Sequence, residues 1–183
     1  INESCPDTVE RITFEQPSAL DELLSEIKKT AASFSVRYPI LVKISPDNDF
    51  AQLEKILEVC EAHGIDGYVL TNTSKFRNGL KTELSIVDKI GKGGLSGPPI
   101  RQKSTELIRF AYGRLKRPCI IGLGGVDSAE AAYEKIKAGA SLVQIYTSFI
   151  YQGPFVVKKI NQALVKLLKR DGFKKISEAV GVE

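Results

Sequence analysis

The chain has 183 residues, 43% of them hydrophobic and 26% charged, a composition that excludes a disordered segment and predicts one soluble globular domain with a substantial apolar core. Its three cysteines have no CxxC spacing, which argues against a disulfide framework and a structural zinc site and fits a reducing compartment. No apolar run approaches the roughly 18 residues of a membrane span, and no segment resembles a signal peptide.

Strand and helix patterns alternate from the first residue onward. Residues 1–4 resemble the end of a strand that is entered from upstream, and 39–44 and 66–72 are short apolar runs typical of buried parallel strands. The two intervening helices have apolar stripes at Leu20, Leu23, Leu24, Ile27 and Ala31, and at Phe50, Leu53, Ile56, Leu57 and Cys60. Their candidate N-caps are Ser18, and Asp47 or Asn48.

The alternation resumes after a long irregular stretch at 73–100, whose length indicates a functional loop. Further strands are predicted at 118–125 and 141–147. The helix before each has an apolar stripe, at Leu107, Ile108, Ala111 and Leu115, and at Ala129, Ala132, Tyr133 and Ile136. Asp127 or Ser128 is the candidate N-cap of the second of these helices.

A final amphipathic helix carries much of the positive charge. Its apolar positions keep helical spacing, so its lysines are interpreted as a solvated face. A nucleic-acid or anionic-lipid surface is the alternative, but aromatic residues are not interleaved for base stacking, and we expect no nucleic-acid partner. The basic residues are Lys158, Lys159, Lys166, Lys169, Arg170, Lys174 and Lys175.

The order of elements predicts an α/β fold with about five β/α units, in one domain over 1–183 without an internal boundary. In such folds the loops that leave the carboxyl ends of parallel strands carry the site. The chemically distinctive residues collect there, at 2–7, 43–45, 71–74, 122–125 and 146–147. Their agreement is more informative than any one of these segments.

Glycines after the third long strand indicate a phosphate site. Gly124 and Gly125 precede a helix, where free backbone amides attract an anion. A tight turn that needs glycine for close packing explains the same residues equally well. A second amide-rich segment at 93–97 and a hydroxyl at Thr147 favour the phosphate interpretation.

Two other strand ends carry polar side chains. Lys43 ends an apolar strand, where it either extends to solvent or stabilises negative charge that develops on a cofactor. Asn72 and Thr73 follow a buried strand and either form a local turn or bind a planar polar ligand.

Six ordered segments resemble the carboxyl-terminal portion of the dihydroorotate dehydrogenase family over nearly the whole chain. The glycine segment at 93–97 and the terminal segment are most similar to the membrane-associated, quinone-reducing class. The segments are LVKISPD, IDGYVLTNTS, GGLSGPPIR, IIGLGGV, AGASLVQIYT and GF…ISEAVG. The resemblance implies a (β/α)8 TIM barrel, of which this chain supplies about the last five units, and FMN-dependent oxidation of dihydroorotate to orotate in pyrimidine biosynthesis.

The resemblance also implies a role for individual residues. FMN-binding residues are expected at Asn2, Lys43, Thr71, Gly97, Gly125, Tyr146 and Thr147. Substrate-binding residues are expected at Asn2, Asp7, Asn72 and Thr73, and the catalytic base at Cys5. No metal ligand is implied.

Two residues depart from the family pattern. Cys5 occupies the position of the general base, where the membrane-associated class has serine and the soluble class has cysteine; a small buried hydrophobic residue is the alternative interpretation. Asp7 stands where the family has an asparagine that contacts the substrate, and a second anion there should repel the orotate carboxylate. Asp7 therefore leaves open a catalytically silent flavin-binding homologue, or a related FMN barrel that acts on another dihydropyrimidine.

Length is the third departure, because a complete barrel takes about 250 residues. We expect these 183 residues to be inactive alone and to act with an amino-terminal part. That part would bring the electron acceptor, a quinone in the membrane-associated class, and any membrane contact. The implied location is the mitochondrial or bacterial inner membrane, with the cytoplasm as the alternative.

Overall fold

The computed structural model describes residues 1–2, 14–116 and 119–183. Short four- or three-residue strands alternate with helices along this part of the chain. In order, the elements are α1 Pro17–Ala32, β1 Leu41–Ile44, α2 Phe50–Ala62, β2 Gly67–Leu70, α3 Leu84–Ile90, α4 Arg101–Tyr112, β3 Ile120–Leu123, α5 Ala129–Lys137, β4 Leu142–Gln144, α6 Thr147–Gln152 and α7 Val156–Arg170. Single 3-10 turns lie at Pro98–Ile100 and Ile176–Glu178.

The four strands form one parallel sheet in the order β1-β2-β3-β4, so each strand pairs with its neighbour in sequence. Helices connect the strands, which is the arrangement of a segment of a β/α barrel. The predicted α/β class and strand positions are confirmed. Of the strand expected at residues 1–4, the described part forms a single parallel bridge, between Asn2 and Lys43.

The strands are not buried on both faces, although their apolar sequences predicted it: β1 and β3 alternate between buried and half-buried residues, and β4 has no fully buried residue. Val42 and Ile44 of β1 pack in the core, whereas Lys43 between them is half-buried. Lys43 shares a register row with Val69 and, through the next pairings, with Ile121 and Leu142. Leu142 is 61% exposed. The row of Lys43, Val69, Ile121 and Leu142 therefore lies on the face of the sheet that the helices do not cover.

Two apolar clusters attach the helices to the sheet. One packs α1, α2 and α4 against β1 and β2, with Leu24, Ile56 and Ile108 among its buried members. The other joins α5 to α7 through residues such as Ile136 and Ile160. The tail helix is therefore amphipathic as predicted, and its lysines are exposed.

Helix starts differ in part from the sequence predictions. Ser128 caps α5 by accepting a hydrogen bond from the Ala131 amide, as expected. The N-cap predictions at Ser18, Asp47 and Asn48 are wrong. The helix α1 begins at Pro17, whose fixed φ suits the first helical position, so Ser18 lies inside the helix. Asp49 caps α2. In the described part of the chain, none of the helices has the length and apolar character needed to cross a membrane.

Candidate functional site

A cavity of about 660 Å³ lies where the carboxyl ends of the strands meet. It gathers residues from every described strand end and from the long loop at 73–100. Eight of the predicted site residues line it: Lys43, Thr71, Asn72, Thr73, Gly97, Gly125, Tyr146 and Thr147. A volume of this size is in the usual range of small-molecule and cofactor sites.

The turn after β3 presses directly against the start of α4. Gly125 has φ +69°, and a Cβ there would lie 2.5 Å from the Cβ of Arg101. Gly124 has φ +112°, and its Cβ would meet the Ser104 side chain at 3.2 Å. Only glycine combines these backbone angles with so little space. The turn therefore packs closely against α4 and lines the cavity with backbone alone.

The 73–100 loop lies on the other side of the cavity from the Gly124–Gly125 turn. Ser74 and Leu95 exchange two backbone hydrogen bonds, which fold the loop back toward the sheet. Gly97 follows, and a Cβ on it would meet the Thr147 methyl group at 3.2 Å. The Thr147 hydroxyl is hydrogen-bonded to that of Ser96 at 2.8 Å. The two glycine segments and Thr147 are thus brought together around one space.

Thr71 belongs to the floor of the cavity. Its amide donates to the Leu123 carbonyl at 2.7 Å, which ties the end of β2 to the turn after β3. Its hydroxyl donates to the Asn72 carbonyl at 3.2 Å. Because Thr71 is only 1% exposed, its position is set by this packing.

Asn2, Lys43 and Asn72 meet at the β1 and β2 end of the cavity. The Asn72 side-chain amide donates to the Asn2 carbonyl oxygen at 2.9 Å. The Lys43 amide donates to the Ile1 carbonyl at 2.8 Å, which places Asn2 beside the strand. The cavity therefore has the Lys43 cation and the Asn72 amide at one end and the glycine turns at the other, and the exposed Asn2 contacts Asn72 without lining the cavity.

Asp47 contributes to the site by holding a loop. Its carboxylate accepts hydrogen bonds from the Ser74 hydroxyl and from the Lys75 amide. These bonds attach the loop that follows β2 to the loop that follows β1. Sequence reasoning assigned Asp47 only a possible capping role.

Lys135 and Ser104 are the site-related residues that the sequence analysis missed. Lys135 is 0% exposed, and burial lowers its pKa to about 7, helped by the positive charge of Arg101 and opposed by Glu134. Its ammonium donates to the Ser104 hydroxyl at 2.8 Å, directly behind the glycine turn. A small polar residue on the apolar stripe of α4 was the available signal for Ser104.

The remaining predicted residues are placed differently. Tyr146 lines the cavity, but the residue is 73% exposed. Cys5 and Asp7 lie outside the described residues, so their roles remain sequence predictions.

The comparisons with known proteins agree on one family. The family model described as dihydroorotate dehydrogenase matches residues 1–168. Proteins named dihydroorotate dehydrogenase (quinone) from Natronomonas pharaonis and Nocardia farcinica are 42% and 40% identical to the chain. In both cases the match covers 100% of this chain and 50% of the relative. The chain thus spans about half the length of the curated relatives it matches.

Solved structures give the same result. The dihydroorotate dehydrogenase of Eimeria tenella in complex with ferulenol matches with a TM-score of 0.89 at 30% identity, over 100% of this chain and 52% of that one. The ligand-free form from Eimeria tenella also gives a TM-score of 0.89, at 29% identity. Sequence and fold together place this chain in the dihydroorotate dehydrogenase family.

Proposed function

We propose that this chain forms the catalytic and FMN-phosphate-binding part of an enzyme that oxidises dihydroorotate to orotate in pyrimidine biosynthesis. The observation that carries the proposal is the single cavity in which Lys43, Asn72 and the Gly124–Gly125 turn meet. The relatives named above are dihydroorotate dehydrogenases, which supports the choice of substrate.

The residues present fit FMN. Gly97 and Gly125 line the cavity with backbone alone, and at Gly125 there is no room for a side chain beside Arg101, so a phosphate could approach the backbone closely. Gly97, Gly125, Tyr146 and Thr147 would hold the phosphate. Lys43 and Thr71 would contact the flavin ring, and Asn2 would contact both flavin and substrate.

The chain's own residues would bind the substrate and move a proton. When bound, FMN supplies the acceptor for the hydride that leaves the dihydroorotate ring. Cys5 would take the proton from the adjacent ring carbon onto its sulfur, for which it must be a thiolate. Asn2, Asn72 and Thr73 would fix the pyrimidine by hydrogen bonds, and the Lys43 ammonium would stabilise negative charge that develops beside it.

The domain organisation, electron acceptor and location are proposed from the same family. We propose that 1–183 is the carboxyl-terminal part of one FMN-binding barrel domain. Quinone is the proposed electron acceptor, because the relatives' names include it. Membrane contact would belong to an amino-terminal part, at the mitochondrial or bacterial inner membrane.

Anaerobic reduction tests the proposal. The full-length natural protein should purify yellow, and dihydroorotate should bleach its flavin absorbance. Bleaching only by another dihydropyrimidine would select the related barrel that Asp7 left open. Bound flavin that no dihydropyrimidine bleaches would indicate a catalytically silent homologue.

A further inference from the structure

Lys135 is a buried cation that the proposed reaction does not use. It lies on α5 and points between the helices and the sheet, where its side chain packs 3.1 Å from the position that a Cβ on Gly122 would occupy. It is 0% exposed. A buried ammonium is costly unless polar groups or an opposite charge compensate it, so its position calls for a reason.

The polar neighbours of Lys135 all belong to the first turns of α4. Its ammonium donates to the Ser104 hydroxyl at 2.8 Å, to the Thr105 hydroxyl at 3.2 Å and to the Arg101 carbonyl at 3.4 Å. These are neutral acceptors. Within the described ranges Lys135 forms no ion pair with a carboxylate. The neighbouring Glu134 accepts from Nε and Nη2 of Arg101, at 2.9 and 2.6 Å.

One hydroxyl connects this ammonium to the cavity. Ser104 accepts from Lys135 and donates to the Leu123 carbonyl at 2.6 Å, with the Leu70 carbonyl a more distant acceptor at 3.4 Å. That carbonyl also accepts from the Thr71 amide. Leu123 is the last residue of β3, and Gly124 begins the turn that lines the cavity. The order Lys135, Ser104, Leu123 therefore leads from the buried charge to the base of the glycine turn.

We propose that Lys135 is a positioning residue for the FMN phosphate: it fixes the Gly124–Gly125 turn through Ser104 and places an uncompensated positive charge behind that turn, which a phosphate dianion neutralises. This inference rests on the proposed FMN site and adds a second layer to it. In a low-dielectric interior such a charge acts over several ångströms and favours the anion without touching it.

Flavins with and without phosphate test the proposal. The dissociation constants of FMN and of riboflavin are measured by flavin fluorescence for the flavin-free, full-length natural protein and for Lys135→Met. Methionine is unbranched, one atom shorter than lysine and uncharged. We expect Lys135→Met to weaken FMN binding at least about tenfold, or about 1.4 kcal/mol. Riboflavin binding should stay within about twofold, since riboflavin carries no phosphate. The melting temperature without flavin should stay equal or rise, because a buried charge is removed.

A matched control is Lys159→Met, which removes one exposed lysine of α7 and should change neither constant. Three outcomes would each overturn this inference while leaving the proposed function intact. Lys159→Met could weaken FMN binding as much as Lys135→Met does. Lys135→Met could weaken FMN and riboflavin binding equally, or it could leave FMN binding unchanged. If Lys135→Met does not fold, Ser104→Ala decides the matter, because it retains the ammonium and removes the link to Leu123. It must weaken FMN relative to riboflavin, and unchanged FMN binding would overturn the proposal. Failure of the unmodified protein to bind FMN would overturn the proposed function as well.

Discussion

The side-chain amide of Asn72 donates a hydrogen bond to the side-chain carbonyl of Asn2 at 2.9 Å, across 70 positions of sequence. The bridge between Asn2 and Lys43 fixes the position of Asn2, and Asn72 is positioned by the segment that follows β2. This hydrogen bond fixes the orientation of both side-chain amides, and an amide offers both donors and acceptors. A planar pyrimidine with alternating carbonyl and N–H groups is the kind of ligand such a pair suits.

Asn72→Ala should therefore impair substrate recognition more than cofactor binding. Asn72→Ala removes an amide that is proposed to bind the pyrimidine, so a polar group of the bound substrate loses its hydrogen bond, at a cost of about 1–3 kcal/mol. We expect kcat/KM for dihydroorotate to fall by about 10- to 100-fold, with the FMN content unchanged. Steady-state kinetics and the flavin-to-protein absorbance ratio measure the two effects. The exposed Asn161→Ala on α7 is the control, and loss of FMN from Asn72→Ala would assign Asn72 to the cofactor instead.

Gly125→Ala should remove FMN binding. Its methyl group would lie 2.5 Å from the Arg101 Cβ and 2.8 Å from the Arg101 Cα, so the turn or the start of α4 must move. Gly172 also has a positive φ, of +82°, which strains any other residue, but a methyl group added there would have nothing within 4 Å. Flavin content and thermal unfolding separate the two variants. Gly172→Ala should lose only stability, whereas a Gly125→Ala protein that keeps a full complement of FMN would show that the turn is not the phosphate site.

Strand ends were the part of the site that sequence could predict. Parallel strands are short apolar runs, and their carboxyl ends meet at one edge, so Lys43, Thr71 and Thr147 could be grouped without coordinates. The cavity brings these three residues together as expected. The α/β class followed from the same alternation of strands and helices, whereas the barrel was implied by the family resemblance.

Buried polar residues inside the layers were not predictable in this way. Lys135 on the α5 sequence reads as an ordinary solvent-facing lysine, and only the crossing of α5 over α4 shows that it meets Ser104. Capping failed for a related reason. Asp47 and Asp49 both suit an N-cap, but the Asp47 carboxylate is occupied by the Ser74 loop. Competition between equivalent side chains is settled by tertiary contacts that a local pattern does not contain.

Lys135 should make the stability of the flavin-free protein depend on pH above neutrality. Its pKa is about 7 in the fold against an ordinary 10.5. Between these values the unfolded chain binds a proton that the folded chain does not, so the free energy of unfolding rises with pH by up to about 1.4 kcal/mol per unit. Below pH 7 both states are protonated, and the buried charge destabilises the fold by a constant amount.

The buried charge also determines how the stability of Lys135→Met should depend on pH. The variant should be more stable than the unmodified protein at pH 7, and this advantage should shrink as the pH rises toward 10. Urea unfolding at pH 7, 8 and 9 measures it, with Lys159→Met as the control. The nearby charges, Arg101 and Glu134, pair with each other and are retained in the variant. A difference between variant and unmodified protein that stays constant over this range would mean that Lys135 keeps its ordinary pKa.

Cys5→Ala should slow the chemistry and spare the cofactor. Loss of a general base typically costs a factor of about 10² to 10⁴, so we expect flavin reduction by dihydroorotate to slow at least about a hundredfold in anaerobic stopped flow. Cys119→Ala removes an exposed thiol and is the matched control. Reduction at an unchanged rate in Cys5→Ala would remove this thiol from the mechanism.

Asp7→Asn should strengthen orotate binding. A carboxylate that faces the orotate carboxylate repels it, and the neutral amide both removes the repulsion and offers a donor. We expect the dissociation constant of orotate, measured by its perturbation of the flavin spectrum, to fall by at least about tenfold, since one like-charge contact in a partly dry site exceeds 1.4 kcal/mol. The effect should weaken below pH 4, where an ordinary aspartate is protonated. Asp127→Asn is the control because Asp127 also lines the cavity, at the glycine-turn end. Unchanged orotate binding in Asp7→Asn would mean that this side chain does not face the substrate, and weaker binding would mean that the enzyme uses the carboxylate as an acceptor for a different pyrimidine.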